Sequence, residues 1–228
     1  MRLIQKYYEI IEKLTLNKIS GDGLAVFRVL YTLVLMCEVG HLIYYHELIF
    51  ATKPYSSSYQ LNFIPALLAW EIVLLLIMVG ACTRTMTVIN YVFNLVFLST
   101  ISTFEYHMVY MYTGINFLMM FLDISKCYSV DRLWLKLKYS TVTQMYNPEK
   151  TVSQIHYFII QFIVLGLVYF DSVFFKFASS LWRDGLGLWL PASIPQVTHI
   201  DLSFILNYEW LVIGLGYFAL TFEALFIF

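Results

Sequence analysis

The chain has 228 residues, of which 60% are hydrophobic and 13% charged, with a mean hydropathy of +0.72 and a formal net charge of −1. Soluble domains carry about 25% charged residues, so the composition predicts a membrane protein, and the lack of a basic patch excludes a nucleic-acid backbone as partner. The three cysteines Cys37, Cys82 and Cys127 are odd in number and show no CxxC spacing, which argues against a disulfide framework or a zinc site.

Residues 1–20 lack the uninterrupted apolar core and small-residue cleavage site of a signal peptide. Leu3, Ile4, Tyr7, Ile11 and Leu14 recur with helical period, which predicts an amphipathic helix lying on a membrane surface. A spanning helix needs about 20 mostly apolar residues. Six stretches qualify as spans, at 24–45, 62–82, 86–104, 108–125, 155–177 and 205–228. The third and fourth are joined only by FEYH, a tight hairpin. The polar stretch 126–153 contains VDRLWLKLKY, which predicts a second interfacial helix, and the loop between the fifth and sixth spans carries Trp182 and Trp189, suited to the interface. The expected fold class is therefore all-α: a polytopic bundle of six transmembrane helices plus an N-terminal interfacial helix, forming a single domain over 1–228. The chain stops at LTFEALFIF with no polar flank after the last span, and truncation there is the expectation.

Lysine and arginine set the orientation. The side that holds the N-terminus receives ten of them and the other side three (Lys53, Lys176 and Arg183), with Arg28 inside the first span. The positive-inside rule puts the N-terminus in the cytoplasm, and Lys176, the FEYH turn and the Trp-rich loop outside it.

Ionisable groups at mid-bilayer cost about 2.5–3.5 kcal/mol each on insertion scales, and therefore face partners or do chemistry. Arg28, Glu38 and His41 lie in the first span, Glu71 in the second, Asp171 and Lys176 in the fifth and Glu223 in the sixth. Tyr31, Glu38 and Tyr45 share a helical stripe with Arg28. Asp171 and Lys176 are five apart, a poor intrahelical pair, whereas Ser172 sits one turn before the lysine. Lys176 either snorkels to the interface or is held in an apolar pocket beside Phe175 and Phe177, where desolvation yields a neutral amine that acts as a base. His107, at the start of the fourth span, either hydrogen-bonds a loop carbonyl or handles protons. Glu38 and His41 share a face, but nothing supplies further ligands, and no metal is expected. GxSxG, HExxH, P-loop and dinucleotide motifs are all missing from the sequence. The lack of matching helix breaks in two halves counts against an inverted-repeat transporter.

Three stretches in order carry a resemblance: GLAVFRVL at Gly23–Leu30, FEYHMVYMYTGINFLMMFLDISKCYSVDRLW at Phe104–Trp134, and VYFDSVFFKFASSLWRDGLGLW at Val168–Trp189. Together they resemble the HTTM family, the transmembrane domain shared with vitamin K-dependent gamma-glutamyl carboxylases. The resemblance implies a reduced quinone as cofactor, with O2 and CO2 as co-reactants. It casts Lys176 as the base that starts the chemistry and His107 as its assistant, with cofactor contacts from Arg28, Tyr169, Trp182 and Arg183. The carboxylases have two adjacent lysines here, where this chain has Phe175 before Lys176. The resemblance is to the membrane part alone, of the kind found in bacterial relatives, so quinol-dependent oxygenation coupled to proton abstraction or carboxylation is the expected activity. It implies a multi-pass protein of a bacterial inner membrane, with membrane lipid, a lipid-soluble quinone and a peptide or protein substrate as partners. The alternative is a non-catalytic membrane module that assists maturation or export of a peptide.

Overall fold

The computed structural model describes residues 2–50, 62–100, 107–140, 145–159, 165–194 and 200–226. It is mostly helical, 76% helix in 13 helices among the described residues. The expectation of an all-α chain is met apart from one short antiparallel strand pair that hydrophobic periodicity gave no sign of. The chain divides into two compact units, Met1–Ile159 and Ile160–Phe228.

The first unit begins with α1 (Arg2–Leu16), β1 (Lys18–Ser20) and α2 (Asp22–Tyr44). It continues with the short α3 (His46–Phe50), α4 (Ile64–Val79), α5 (Thr83–Thr100), α6 (His107–Met119) and α7 (Val130–Tyr139), and ends with β2 (Thr151–Ser153) and α8 (Ile155–Phe158). Helix α7 coincides with the VDRLWLKLKY stretch, and α6 begins at His107, both as the sequence suggests. α4 packs between α2 and α5, and α5 packs on α6. Pro65 in the first turn of α4 lacks an N–H that would be unpaired there in any case. Gly80 ends that helix with φ +73, its N–H donating to the Ile77 carbonyl, and a Cβ here would meet Ser129 and the Arg28 guanidinium. The core joins Leu35 and Val39 of α2, Leu67, Trp70 and Leu74 of α4, Phe97 and Leu98 of α5, and Tyr112 of α6. Trp70 stacks on Phe93 and Phe97, with ring centroids 6.0 and 5.7 Å away.

The strand pair ties the two ends of this unit's sequence together, with Lys18 opposite Ser153 and Ser20 opposite Thr151. Tyr157 then serves α2 as a cap from a distance. Its hydroxyl donates to the Ser20 carbonyl (2.8 Å) and accepts from the Leu24 N–H (3.1 Å), satisfying one of the helix's orphan donors.

Among the described residues one helix, α2, is long and apolar enough to cross a membrane; α4 is apolar but has 16 residues. The others fall short for identifiable reasons. α5 carries Thr83, Thr85, Thr87, Asn90 and Asn94, and α6 has 13 residues. The stretch read as the fifth span includes α8, α9 as far as Phe177, and residues 160–164, which lie outside the described residues, as do 101–106 of the FEYH hairpin.

The second unit contains α9 (Leu165–Ala178), α10 (Ser180–Arg183), α11 (Trp189–Ser193), α12 (Ser203–Leu206) and α13 (Glu209–Leu225). α9 and α13 pack along each other, and α10 folds back on α9. Gly185 turns the chain after α10 with φ +79, and its carbonyl lies so close to Gly216 of α13 that a Cβ there would approach it to 2.8 Å. Gly187 lies flat against the Trp182 ring. These glycines give the Trp-Arg-Asp-Gly-Leu-Gly run its physical meaning: a left-handed turn pressed against both a helix and an indole.

Candidate functional site

The second unit holds the site around Lys176. The lysine sits in the last turn of α9 and its Nζ donates to both carboxylate oxygens of Glu223 on α13, at 2.5 Å each. The two side chains are 22% and 18% exposed, so the pair is largely withdrawn from solvent. The Trp182 ring lies under the same ammonium, 4.8 Å from Nζ to the ring centroid, a cation–π contact. The sequence pointed to an apolar pocket beside Phe175 and Phe177; both of those rings are more than half exposed, and a carboxylate faces the amine instead. Asp171 is exposed and contributes nothing to this pair. Glu223 is recognisable in the sequence as an ionisable residue on an apolar helix, but no spacing rule joins residues 47 apart, and the pairing comes from the packing of α9 on α13.

The other residues assigned to cofactor contacts in this unit are placed differently from one another. Trp182 belongs to the Lys176 pair. The Tyr169 ring meets Phe226 edge to face, with centroids 5.1 Å apart. Arg183 is exposed, and it is its backbone carbonyl that is used, accepting from the Tyr217 hydroxyl at 2.6 Å. An apolar groove of about 280 Å³, lined by Phe218, Thr221, Phe222, Leu225 and Phe226, runs along α13 in the turns flanking Glu223.

In the first unit Arg28 is fully buried. Its Nη1 donates to the Ile124 carbonyl (2.7 Å) and its Nη2 to the Tyr128 carbonyl (2.5 Å), and among the described residues its Nε–H has no acceptor. The arginine thus fixes the loop that follows α6. The SVDRL motif completes the same corner. Ser129 caps α7, accepting from the Arg132 N–H at 3.1 Å. Asp131 caps α5, accepting from the N–H groups of Cys82 (2.6 Å) and Thr83 (2.8 Å) and from the Thr83 hydroxyl (2.7 Å). Arg132 donates to the carbonyls of Lys126 and Glu149 and to Asn147 Oδ1. Every polar member of this motif holds backbone. His107 also belongs to the first unit; its side chain lies outside the described residues.

Sequence reading missed a buried polar chain in this unit. Trp70 Nε1 donates to Asn90 Oδ1 (2.8 Å), Asn90 Nδ2 to Asn116 Oδ1 (2.9 Å), Asn116 Nδ2 to Asn94 Oδ1 (2.9 Å), and Asn94 Nδ2 to Thr113 Oγ1 (2.9 Å). The Tyr31 hydroxyl adds a further donor to Asn116 Oδ1 at 3.0 Å, and Tyr112 donates to Glu38 at 3.1 Å. Asn90, Asn94 and Asn116 are each no more than 1% exposed. The available signal was Asn90 and Asn94 four apart in the apolar stretch VINYVFNLVF, which places two amides on one face.

Among the described residues no three His, Cys, Asp or Glu side chains converge as metal ligands. No family model, no curated protein and no solved structure matches the chain.

Proposed function

We propose that the chain is a multi-pass membrane enzyme resembling the HTTM family, in which the Lys176–Glu223 pair is the proton-handling centre for chemistry on a lipid-soluble quinol. The single observation that carries this reading is the ion pair itself: a lysine and a glutamate, largely withdrawn from water, on two apolar helices and against an indole. Ionisable groups in such surroundings mark functional sites by default. A reduced quinone supplies an acidic hydroxyl and a two-electron reservoir when bound. Lys176 first passes its own proton to Glu223, leaving a neutral amine beside a neutral carboxyl; the amine then takes that hydroxyl's proton, and Trp182 faces the ammonium that re-forms. The groove on α13 is apolar, which suits an isoprenoid tail.

Multi-pass insertion is supported by the polarity of the first unit, which is inside out. The amides of Asn90, Asn94 and Asn116 are buried, while Leu68, Ile72 and Leu75 of α4 and Val88, Val92 and Leu95 of α5 are exposed. A continuous apolar exterior over a hydrogen-bonded polar interior suits lipid as solvent. The excess of lysine and arginine on the α1 side supports a cytoplasmic N-terminus.

The test is incubation of the purified protein with isoprenoid naphthoquinols or benzoquinols in air, followed by mass spectrometry of the extracted lipid. The expected result is a quinone product that has gained oxygen with the wild type and none with Lys176→Ala. No oxygenated product from either quinol class, or an undiminished yield from Lys176→Ala, overturns it.

A second reading has its own support. A bidentate, cation–π-backed ion pair between α9 and α13 is also a clamp, and a clamp is what a non-catalytic module assisting peptide maturation or export requires. In that case a substitution that preserves the pair preserves the phenotype.

A further inference from the structure

We propose that α1 and α7 form a paired collar that binds anionic phospholipid at the leaflet surface where α2 begins, an inference that rests on the membrane reading of the first unit. The contacts bring both helices to one end of that unit. Ser153 of β2 donates to the carbonyls of Leu14 and Thr15 at the end of α1 (3.0 and 2.6 Å), and the Gln154 N–H donates to the Asn17 carbonyl at 2.9 Å. The same segment accepts from Arg132 in the first turn of α7 through the Glu149 carbonyl and Asn147 Oδ1, at 3.0 Å each. The Gly21 N–H, at the N-terminus of α2, donates to the Lys150 carbonyl at 2.8 Å. If α2 crosses a bilayer from Asp22, both helices lie at its polar boundary.

Each helix has the pattern of a lipid-seated one. Successive residues advance by about 100° around a helix. On α1 this gathers Tyr7, Ile10 and Ile11 on one face, each more than 40% exposed among the described residues. Lys6 and Lys13 fall together on one flank of that face, while Glu9 and Glu12 fall behind it. Lysines at the boundary and glutamates away from it allow the amines to reach headgroup phosphates while the carboxylates stay in water. On α7, Leu133, Trp134 and Leu137 form the apolar stripe and are 57% or more exposed. Lys138 reaches over the Trp134 ring at 4.7 Å. The one carboxylate of this helix, Asp131, is held by the N-terminus of α5, so nothing on α7 itself neutralises Lys136 and Lys138. An aromatic-apolar stripe flanked by lysines on both helices, with no free carboxylate on α7, matches an acyl–headgroup boundary with negative charge, and it suits no soluble acidic partner, which would leave the stripe wet.

The test uses the full-length protein, extracted from membranes containing phosphatidylglycerol and phosphatidylcholine in equal amounts and examined by native mass spectrometry for retained lipid. The expected result is enrichment of phosphatidylglycerol, falling by about fivefold per lysine in Lys136→Gln/Lys138→Gln and, independently, in Lys6→Gln/Lys13→Gln. Equal retention of the two lipids by the wild type, or unchanged enrichment in both double variants, overturns the collar. Resistance to alkaline carbonate extraction is measured in parallel: a protein released by carbonate sinks the membrane reading itself, whereas a resistant protein without lipid preference sinks only the collar.

Discussion

Two cations sit on apolar helices of this chain, and the fold treats them in opposite ways. Arg28 is sealed from solvent and bonded to two backbone carbonyls, with no carboxylate in hydrogen-bond contact among the described residues. Lys176 retains some exposure and meets a carboxylate and an indole. A guanidinium does not lose its proton, so bonding it to carbonyls makes a permanent strut. An ammonium against a carboxylate can exchange a proton within the pair without creating net charge. The first arrangement is suited to holding a loop, the second to chemistry, and the difference separates two arginine- and lysine-bearing motifs that look alike in the sequence.

The largest expected effect comes from removing the strut. Arg28→Ala leaves the buried Ile124 carbonyl and the part-buried Tyr128 carbonyl without this donor and a cavity the size of an arginine, and is expected to destabilise the first unit by about 3–5 kcal/mol, measured by thermal unfolding in detergent. Arg28→Lys does not rescue it, because a single amine cannot serve the Ile124 and Tyr128 carbonyls in the same geometry. Next comes the buried amide chain. Asn116 takes part in three of its bonds, and at about 0.6 kcal/mol for each bond within a membrane bundle, Asn116→Ala is expected to cost about 2 kcal/mol. Unchanged unfolding in that variant would mean that packing alone specifies the arrangement of α5 and α6.

The Lys176 side of the comparison predicts a smaller change. Lys176→Met removes one partner of an ion pair that keeps some exposure, so a loss of about 1 kcal/mol is expected, and Lys176→Met/Glu223→Leu recovers it. A loss as large as that of Arg28→Ala would place Lys176 among the struts. The smallest effect is chemical. Burial, together with a hydrogen bond and charge from Asp22, pushes the Cys127 thiol up, whereas Cys82 is exposed in the turn before α5. At neutral pH a membrane-impermeant maleimide should therefore label Cys82 from the cytoplasmic face and leave Cys127 nearly unmodified; labelling of Cys82 from outside intact cells contradicts the assigned orientation.

Much of the first unit was legible in the sequence because local rules decide it. The period of Tyr7, Ile11 and Leu14 foretold α1, and VDRLWLKLKY foretold α7 to the residue. His107 as a helix start was also legible. The strand pair was not, because Lys18–Ser20 and Thr151–Ser153 are too short to show alternation and their paired residues are 131 to 135 apart in sequence. The roles of Arg28 and SVDRL were visible only as charges; that Asp131 caps a helix 48 residues earlier depends on the chain returning to that corner. Lys176 stood out from its place on an apolar helix, but its partner did not, since ion pairs between helices leave no periodic trace. The asparagines were overlooked because an uncharged side chain raises no alarm in a hydropathy reading, although each amide brings three hydrogen-bonding atoms into the bundle.

The central claim is that Lys176 gives and takes a proton rather than merely holding α9 to α13. Lys176→Arg tests it most directly, because arginine preserves the ion pair with Glu223 and the contact with Trp182 while being unable to serve as a base. The account predicts that this variant unfolds at the wild-type temperature and produces no oxygenated quinone. Oxygenation at the wild-type rate by Lys176→Arg would contradict it and leave the pair as a clamp.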